Sequence, residues 1–118
     1  MRAAGEPFTG PEDAWFWTIA SLDARACGKR RAPPGTPRPC TPDDIVTALN
    51  RMYRQRRIDL HDARVLRAYG ERGFAPVADH PAEAADRAIW DRVMGLLERV
   101  LLQRGIIRAP QPIRKTAA

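Results

Sequence analysis

Hydrophobic runs, cysteine and signal-like segments are scarce in this 118-residue sequence. No apolar run approaches the ~18 residues that a membrane-spanning helix needs. The first residues include no hydrophobic stretch of the kind that secretory signals contain, so we expect a cytoplasmic protein without a membrane partner. Only two cysteines occur, Cys27 and Cys40. Because nothing in the sequence points to an oxidising compartment, we expect no disulfide between them.

Motifs of the common catalytic classes are also missing. There is no glycine-rich phosphate loop and no serine or cysteine in a glycine-rich nucleophile elbow. A metal site would have to use widely separated residues, without the close Cys-x-x-Cys pair that nucleates zinc sites, from among Cys27, Cys40, His61 and His80. We therefore expect no enzyme activity, no metal and no cofactor.

The chain is basic, but lysine contributes almost none of its positive charge. Eighteen of the twenty basic residues are arginine, and the net charge is +6. The excess is local, because residues 24–58 hold nine basic and two acidic residues, a net charge of +7. Arginine has a planar fork that binds phosphates and guanine edges, although a GC-rich genome would also favour its codons. A localised basic stripe is typical of nucleic-acid-binding proteins.

Apolar spacing and helix-boundary residues predict four helices and no strand, and hence a small all-α bundle. The first helix is expected over about residues 11–27 and the fourth over about residues 81–104. The second begins at the Thr41 cap and the third at the Asp59 cap, each followed by acidic residues in the first turn.

Three other segments are predicted to be less regular. Residues 28–40 contain four prolines and two glycines, which indicates an extended basic connector. We expect residues 1–10 to be flexible and residues 106–118 to be a frayed tail, with Ile106 and Ile107 as the part of the tail that could contact the bundle. The helical domain would then span residues 11–105.

The second and third predicted helices, over residues 41–72, have the order of a helix-turn-helix. In that motif the second helix enters the DNA major groove. The candidates for base contacts are His61, Arg64 and Arg67. The candidates for phosphate contacts are Arg51, Arg54, Arg56 and Arg57. The connector adds a basic arm made of Lys29, Arg30, Arg31 and Arg38. The alternative is a solvated basic face on an ordinary helical hairpin, because the turn lacks the glycine frequent in the motif.

The same region resembles known DNA-binding domains. A capped helix, a basic turn, the pattern Arg57…Ala63-Arg64…Leu66 and a loop with Asp79-His80 before a closing helix are similar to domain IV of the replication initiator DnaA and to Trp-repressor-like domains. In DnaA proteins two threonines and a valine follow the Asp-His pair, whereas proline, alanine and glutamate follow it here. The resemblance covers residues 41–104. It implies duplex-DNA binding through Arg57 and Arg64, and it does not imply replication initiation.

An aromatic residue leaves a second function open. Trp17 lies about 200° around the first helix from the predicted core residue Trp15. An exposed tryptophan is typical of protein-binding hot spots, unless it packs on Phe8 or on the C-terminal tail. We thus predict a small DNA-binding transcriptional regulator that recognises double-stranded DNA, with RNA not excluded. The alternative is a non-enzymatic adaptor that uses Trp17, Gly95 and Leu102 to bind a second copy or a transcription protein.

Overall fold

The computed structural model describes residues 5–28 and 37–108. Over these residues the chain forms four helices, which are α1 (Pro11–Ala26), α2 (Pro42–Arg54), α3 (Leu60–Arg72) and α4 (Ala84–Gln103). The prediction of an all-α bundle of four helices is confirmed. None of the described helices is long and apolar enough to cross a membrane.

Helix α1 is the centre of the bundle, because it packs against each of the other three helices. Its buried residues include Ile19 and the predicted core residue Trp15. Helix α4 covers α1 with a row of fully buried side chains at Trp90, Val93 and Leu97. Half-buried residues such as Leu96 flank this row.

Two buried indole groups fix the helices around α1. The Nε1–H of Trp15 donates to the backbone carbonyl of Leu66 on α3 at 2.9 Å. The Nε1–H of Trp90 donates to Glu12 Oε2 at the start of α1, at 2.7 Å. Because a buried indole N–H needs an acceptor, these bonds restrict how α3 and α4 can sit on α1.

The capping boxes explain why α2 and α3 begin where the sequence predicts. Thr41 Oγ1 accepts from the backbone N–H of Asp44, whose carboxylate accepts from the N–H of Thr41. Asp59 and Asp62 make the same reciprocal pair at the start of α3. Helix α4 begins three residues later than predicted, and Glu83 just before it is bound by Arg72 through two hydrogen bonds of 2.8 and 3.0 Å.

The two terminal segments pair with each other. The backbone N–H of Phe8 donates to the carbonyl of Ile106 at 3.0 Å, and that of Arg108 donates to the carbonyl of Phe8 at 2.8 Å. Phe8, Ile106 and Ile107 are buried. Phe8 thus packs in the core, although it lies in segment 1–10, and Ile106 and Ile107 make the contact with the bundle that the sequence left open. Their pairing is nonlocal and leaves no periodic pattern in the sequence. Residues 1–4 and 109–118 lie outside the described part of the chain.

Helix α2 ends in a Schellman turn that places Arg56 in the left-handed region, with φ 61°. The N–H of Arg57 donates to the carbonyl of Met52 at 2.9 Å, and that of Arg56 donates to the carbonyl of Tyr53 at 3.0 Å. Helix α4 ends with the same pair of bonds, and there the left-handed residue is Gly105. Glycine adopts this conformation freely, whereas a residue with a Cβ atom is strained there by about 1 kcal/mol.

We expect Arg56→Gly to raise the free energy of unfolding by about 0.5–1 kcal/mol, because glycine relieves the left-handed strain. Gly105→Ala is the matched control and should lower stability by a similar amount. Urea unfolding of the purified variants measures both changes. A loss of stability in Arg56→Gly would show that the left-handed residue is not strained.

Close packing between α1 and α3 gives a second prediction. A Cβ atom at Gly70 would lie 2.8 Å from Trp15 Nε1 and 2.9 Å from Ile19 Cγ1. We therefore expect Gly70→Ala to lower stability by about 1–2 kcal/mol, since neither group can move without disturbing the core. Gly95→Ala on α4, where nothing lies within 4 Å of the new atom, should instead add about 0.5–1 kcal/mol. Thermal and urea unfolding compare the pair, and equal effects of the two changes would contradict the packing argument.

Candidate nucleic-acid interface

The exposed cations of α2, the following turn and the start of α3 form what we call the basic cluster. Its members are Arg51, Arg54, Arg56, Arg57, His61 and Arg64, all of which are exposed. None of its five arginines lies within ion-pair distance of a carboxylate of the described residues. The structure thus keeps six of the predicted site residues solvent-accessible on consecutive segments.

Most other described arginines have a carboxylate partner. Ion pairs are formed by Arg25, Arg67, Arg72, Arg87, Arg92 and Arg108. Arg99 on α4 and Arg104 at the C-cap of α4 resemble the cluster in having no ion pair to a described residue. An unpaired guanidinium can bind a phosphate without first breaking an ion pair, so the basic cluster is the best-prepared anion-binding surface on α2 and α3.

Helix α4 fixes the turn that carries the cluster. Arg92 donates one hydrogen bond to the backbone carbonyl of Arg57 at 3.3 Å and another to the carboxylate of Asp62. Asp62 is buried, and burial alone would raise its pKa. The hydrogen bonds from Arg92 and from the N–H of Asp59 outweigh this effect and hold the pKa of Asp62 below its usual value. Arg92 therefore ties the turn and the first residues of α3 to the core.

Arg67 is placed differently from its predicted partner Arg64. Although it is exposed, its Nε–H donates to Glu71 Oε2 at 2.9 Å, one turn further along α3. Contact with a base would require this ion pair to open. The pair of arginines predicted on one free surface is thus divided into an unpaired Arg64 and a paired Arg67.

The predicted basic arm is only partly described. Lys29, Arg30 and Arg31 lie outside the described residues. Arg38 is half-buried, with its guanidinium 4.3 Å from the centre of the Phe8 ring. It also donates to the backbone carbonyl of Glu6 at 3.2 Å. Arg38 precedes α2, whereas the cluster starts near the end of that helix, so the structure does not bring Arg38 together with it.

Trp17 is half-buried rather than exposed. Its ring packs against Phe8 with 5.1 Å between the ring centres. This is the Phe8 contact that the sequence left open as the alternative to an exposed protein-binding tryptophan. Of the other adaptor residues, Gly95 is exposed and Leu102 is half-buried against the core.

Helices α2 and α3 occupy the residues where the sequence predicts a helix-turn-helix. Helices α2 and α3 are joined by the five residues 55–59 and have only marginal contact with each other, because each packs mainly on other helices. Between them lies a groove of about 530 Å³ whose floor is α1. We call it the α2–α3 groove. Its lining residues are Trp15, Ile19, Leu22, Asp23, Val46, Leu49, Asn50, Tyr53, Ile58, Leu60, Ala63, Leu66, Arg67 and Glu71.

Sequence reasoning missed this groove. Only two features of the sequence pointed to it. Leu60 is an apolar residue in the first turn of α3, and Tyr53 lies at the edge of the apolar residues of α2. Both side chains are about half exposed, at 54% and 49%. These two side chains line one groove because α2 and α3 are spread apart. The apolar pattern of a single helix cannot predict how far apart two helices lie.

The described residues include no group of three or more side chains positioned to hold a metal ion. Cys27 and Cys40 are both free thiols. Burial, reinforced by the nearby charge of Asp44, raises the pKa of Cys40 to about 11. That thiol is accordingly protonated near neutral pH and is a poor nucleophile.

No family model matches this chain, and no curated protein or solved structure is significantly similar to it. The resemblance to DnaA domain IV and Trp-repressor-like domains therefore stays a prediction. What the interface can do must be argued from its residues.

The tie between Asp62 and Arg92 gives a pH-dependent prediction. We expect Asp62→Asn to lower stability by about 1.5–3 kcal/mol at neutral pH, as the loss of a charge-assisted hydrogen bond usually does. The folded-state pKa of Asp62 is depressed, so its contribution is complete above the unfolded value near ~4 and disappears as pH falls through the lower folded value. The deficit of the variant should shrink accordingly in urea titrations from pH 7 to pH 2.5.

Asp44→Asn provides the control for this prediction. Asp44 caps α2 in the same way but is exposed and has no arginine partner among the described residues. Its loss should cost only about 0.5–1 kcal/mol. Equal effects of the two substitutions would show that Arg92 contributes nothing through Asp62.

Proposed function

We propose that this protein is a small cytoplasmic DNA-binding protein that regulates transcription without catalysis or a cofactor. The observation that carries the proposal is the basic cluster, in which five exposed arginines on consecutive segments have no carboxylate partner among the described residues. A surface of this kind binds the phosphate backbone of double-stranded DNA and releases its counterions.

Phosphate contacts are assigned to the end of α2 and the turn, at Arg51, Arg54, Arg56 and Arg57. The capping box places the carboxylate of Asp59 on the N–H of Asp62 in the first turn of α3. Because this negative charge would repel a phosphate at the helix N-terminus, we assign the phosphates to side chains. Arg56 fits this role. Its left-handed backbone would be less strained in a glycine, so the presence of a cation at this position indicates a functional reason for the side chain.

Base contacts are assigned to the exposed side of α3, at His61 and Arg64. They lie three residues apart in the first two turns, and a recognition helix usually meets base edges with its N-terminal part. Arg64 would bind guanine O6 and N7, which discriminates against other bases by about 1–3 kcal/mol. Arg67 takes part only if its bond to Glu71 opens. Small helix-turn-helix domains usually bind DNA in pairs, so we propose a homodimer on DNA.

Salt-dependent titration with labelled duplex DNA tests the proposal. Four arginine–phosphate contacts per chain predict a slope of about −3.5 in log K against log salt. Arg54→Gln with Arg57→Gln should weaken binding to all sequences and reduce the magnitude of the slope by about two. Arg64→Gln should relax sequence preference instead. Arg56→Gly should weaken binding while stabilising the fold.

The matched control for the double variant is Arg99→Gln on α4 with Arg104→Gln at its C-cap. These two arginines are also exposed and make no ion pair with a described residue, and their replacement removes the same charge. Binding should change little. Absence of binding at low salt, or equal losses from both double variants, would contradict the proposed interface. A parallel titration with duplex RNA decides between the two nucleic acids.

A protein-binding adaptor is the second candidate. Trp17 no longer favours it, since that ring packs on Phe8. The observation that does favour it is the α2–α3 groove, whose lining includes none of the arginines of the basic cluster.

A further inference from the structure

The α2–α3 groove is predominantly apolar. Ten of its fourteen lining residues are aliphatic or aromatic, and the polar exceptions are Asp23, Asn50, Arg67 and Glu71. Its volume of about 530 Å³ is within the range of protein ligand sites, which is about 300–1,000 Å³. A groove of this size and composition exposes apolar surface to water that an occupant would cover.

The exposed apolar side chains at the groove are not covered by a cation. Phe74, an exposed aromatic residue outside the groove, is covered in this way. The four most exposed large hydrophobic residues described are Tyr53, Leu60, Phe74 and Val77. The guanidinium of Arg72 lies 3.9 Å from the centre of the Phe74 ring. Tyr53 and Leu60 belong to the groove, and neither has a cation over it among the described contacts.

The arrangement of the helices indicates the shape of the occupant. Helix α1 is packed by α2, α3 and α4, and its remaining side faces the groove between α2 and α3. The groove follows α3 from Leu60 to Glu71, which is about 16 Å at the helical rise per residue. Three apolar residues spaced i, i+4 and i+7 on a helix span about 10 Å and fit this length. A helix placed here would complete the packing around α1.

The two ends of the groove differ in charge. Ile58 and Leu60 are at the end formed by the α2–α3 turn. Asp23 and Glu71 lie two to three turns away with Arg67 as their only lining cation, so that end carries a net charge of −1. This end of the groove is acidic although the chain as a whole has a net charge of +6. It complements a basic residue on the occupant.

We infer that the α2–α3 groove binds an amphipathic α-helix of a partner protein. The helix places apolar residues at i, i+4 and i+7 against the exposed or half-buried lining residues Leu22, Tyr53 and Leu60. It places a lysine or arginine beside Asp23, because Glu71 is already paired with Arg67. Such an interaction buries Leu60 and Tyr53, and it is independent of whether the basic cluster binds DNA.

Selection from a displayed peptide library tests this inference. The library consists of 16-residue peptides on a helix-favouring alanine and glutamine frame with randomised positions, presented to the full-length protein. Enriched peptides should share apolar residues at i, i+4 and i+7 with a basic residue at one end. A synthetic peptide of the enriched sequence should bind at least tenfold more weakly to Leu60→Asp than to the unaltered protein.

Phe74→Asp is the matched control, because Phe74 and Leu60 are equally exposed, at 54%, and Phe74 does not line the groove. It should bind the peptide as the unaltered protein does. Aspartate is favourable in the first turn of a helix, so Leu60→Asp should remain folded, and circular dichroism verifies this. Asp23→Lys should weaken binding severalfold and shift selection away from basic peptides.

Three results would overturn the inference: enriched peptides without helical periodicity, enriched peptides with acidic ends, or peptide binding that is unaffected by Leu60→Asp. Uptake of a small apolar dye such as Nile red, blocked by Leu60→Asp, with no helical peptide enriched, would also overturn it and assign the groove to a small molecule.

Discussion

The packing of three helices on α1 is the constraint from which the other features follow. Trp15 binds α3 through the Leu66 carbonyl, and Glu12 binds α4 through Trp90. Since α2 and α3 are both held by α1 rather than by each other, they separate on their outer sides. The same arrangement therefore leaves the basic cluster of α2, the following turn and the start of α3 exposed, and it opens the apolar groove between the two helices.

The distribution of ion pairs separates structural arginines from available ones. Arg72 and Arg92 bind carboxylates that order the loop before α4 and the start of α3. Arg51, Arg54 and Arg64 have no such role among the described residues. Some guanidinium groups of this protein thus order the loops between helices, and others are available to an anionic partner. The sequence alone does not distinguish the two kinds, because both are arginine.

The helices could be predicted because local sequence signals mark their ends and buried faces. The contacts between distant segments have no such local signal and could not be predicted. The caps at Thr41 and Asp59 and the apolar spacing of α1 specify the boundaries and the buried faces, because both act within a few residues. The pairing of Arg67 with Glu71 could have been found from its i, i+4 spacing. The groove, the left-handed Arg56 and the contact of Trp17 with Phe8 depend on how distant segments meet. Helix propensity and apolar periodicity are local properties, and they do not predict contacts between distant segments.

The contact between Phe8 and Ile107 also has a consequence for how the chain assembles. It joins residues ninety-nine positions apart, and such long loops close late because their entropy is lost before any contact compensates for it. During synthesis Phe8 emerges ninety-nine residues before Ile107, so these two segments cannot pair until all four helices have been translated. Their pairing therefore joins a core whose helices are already made.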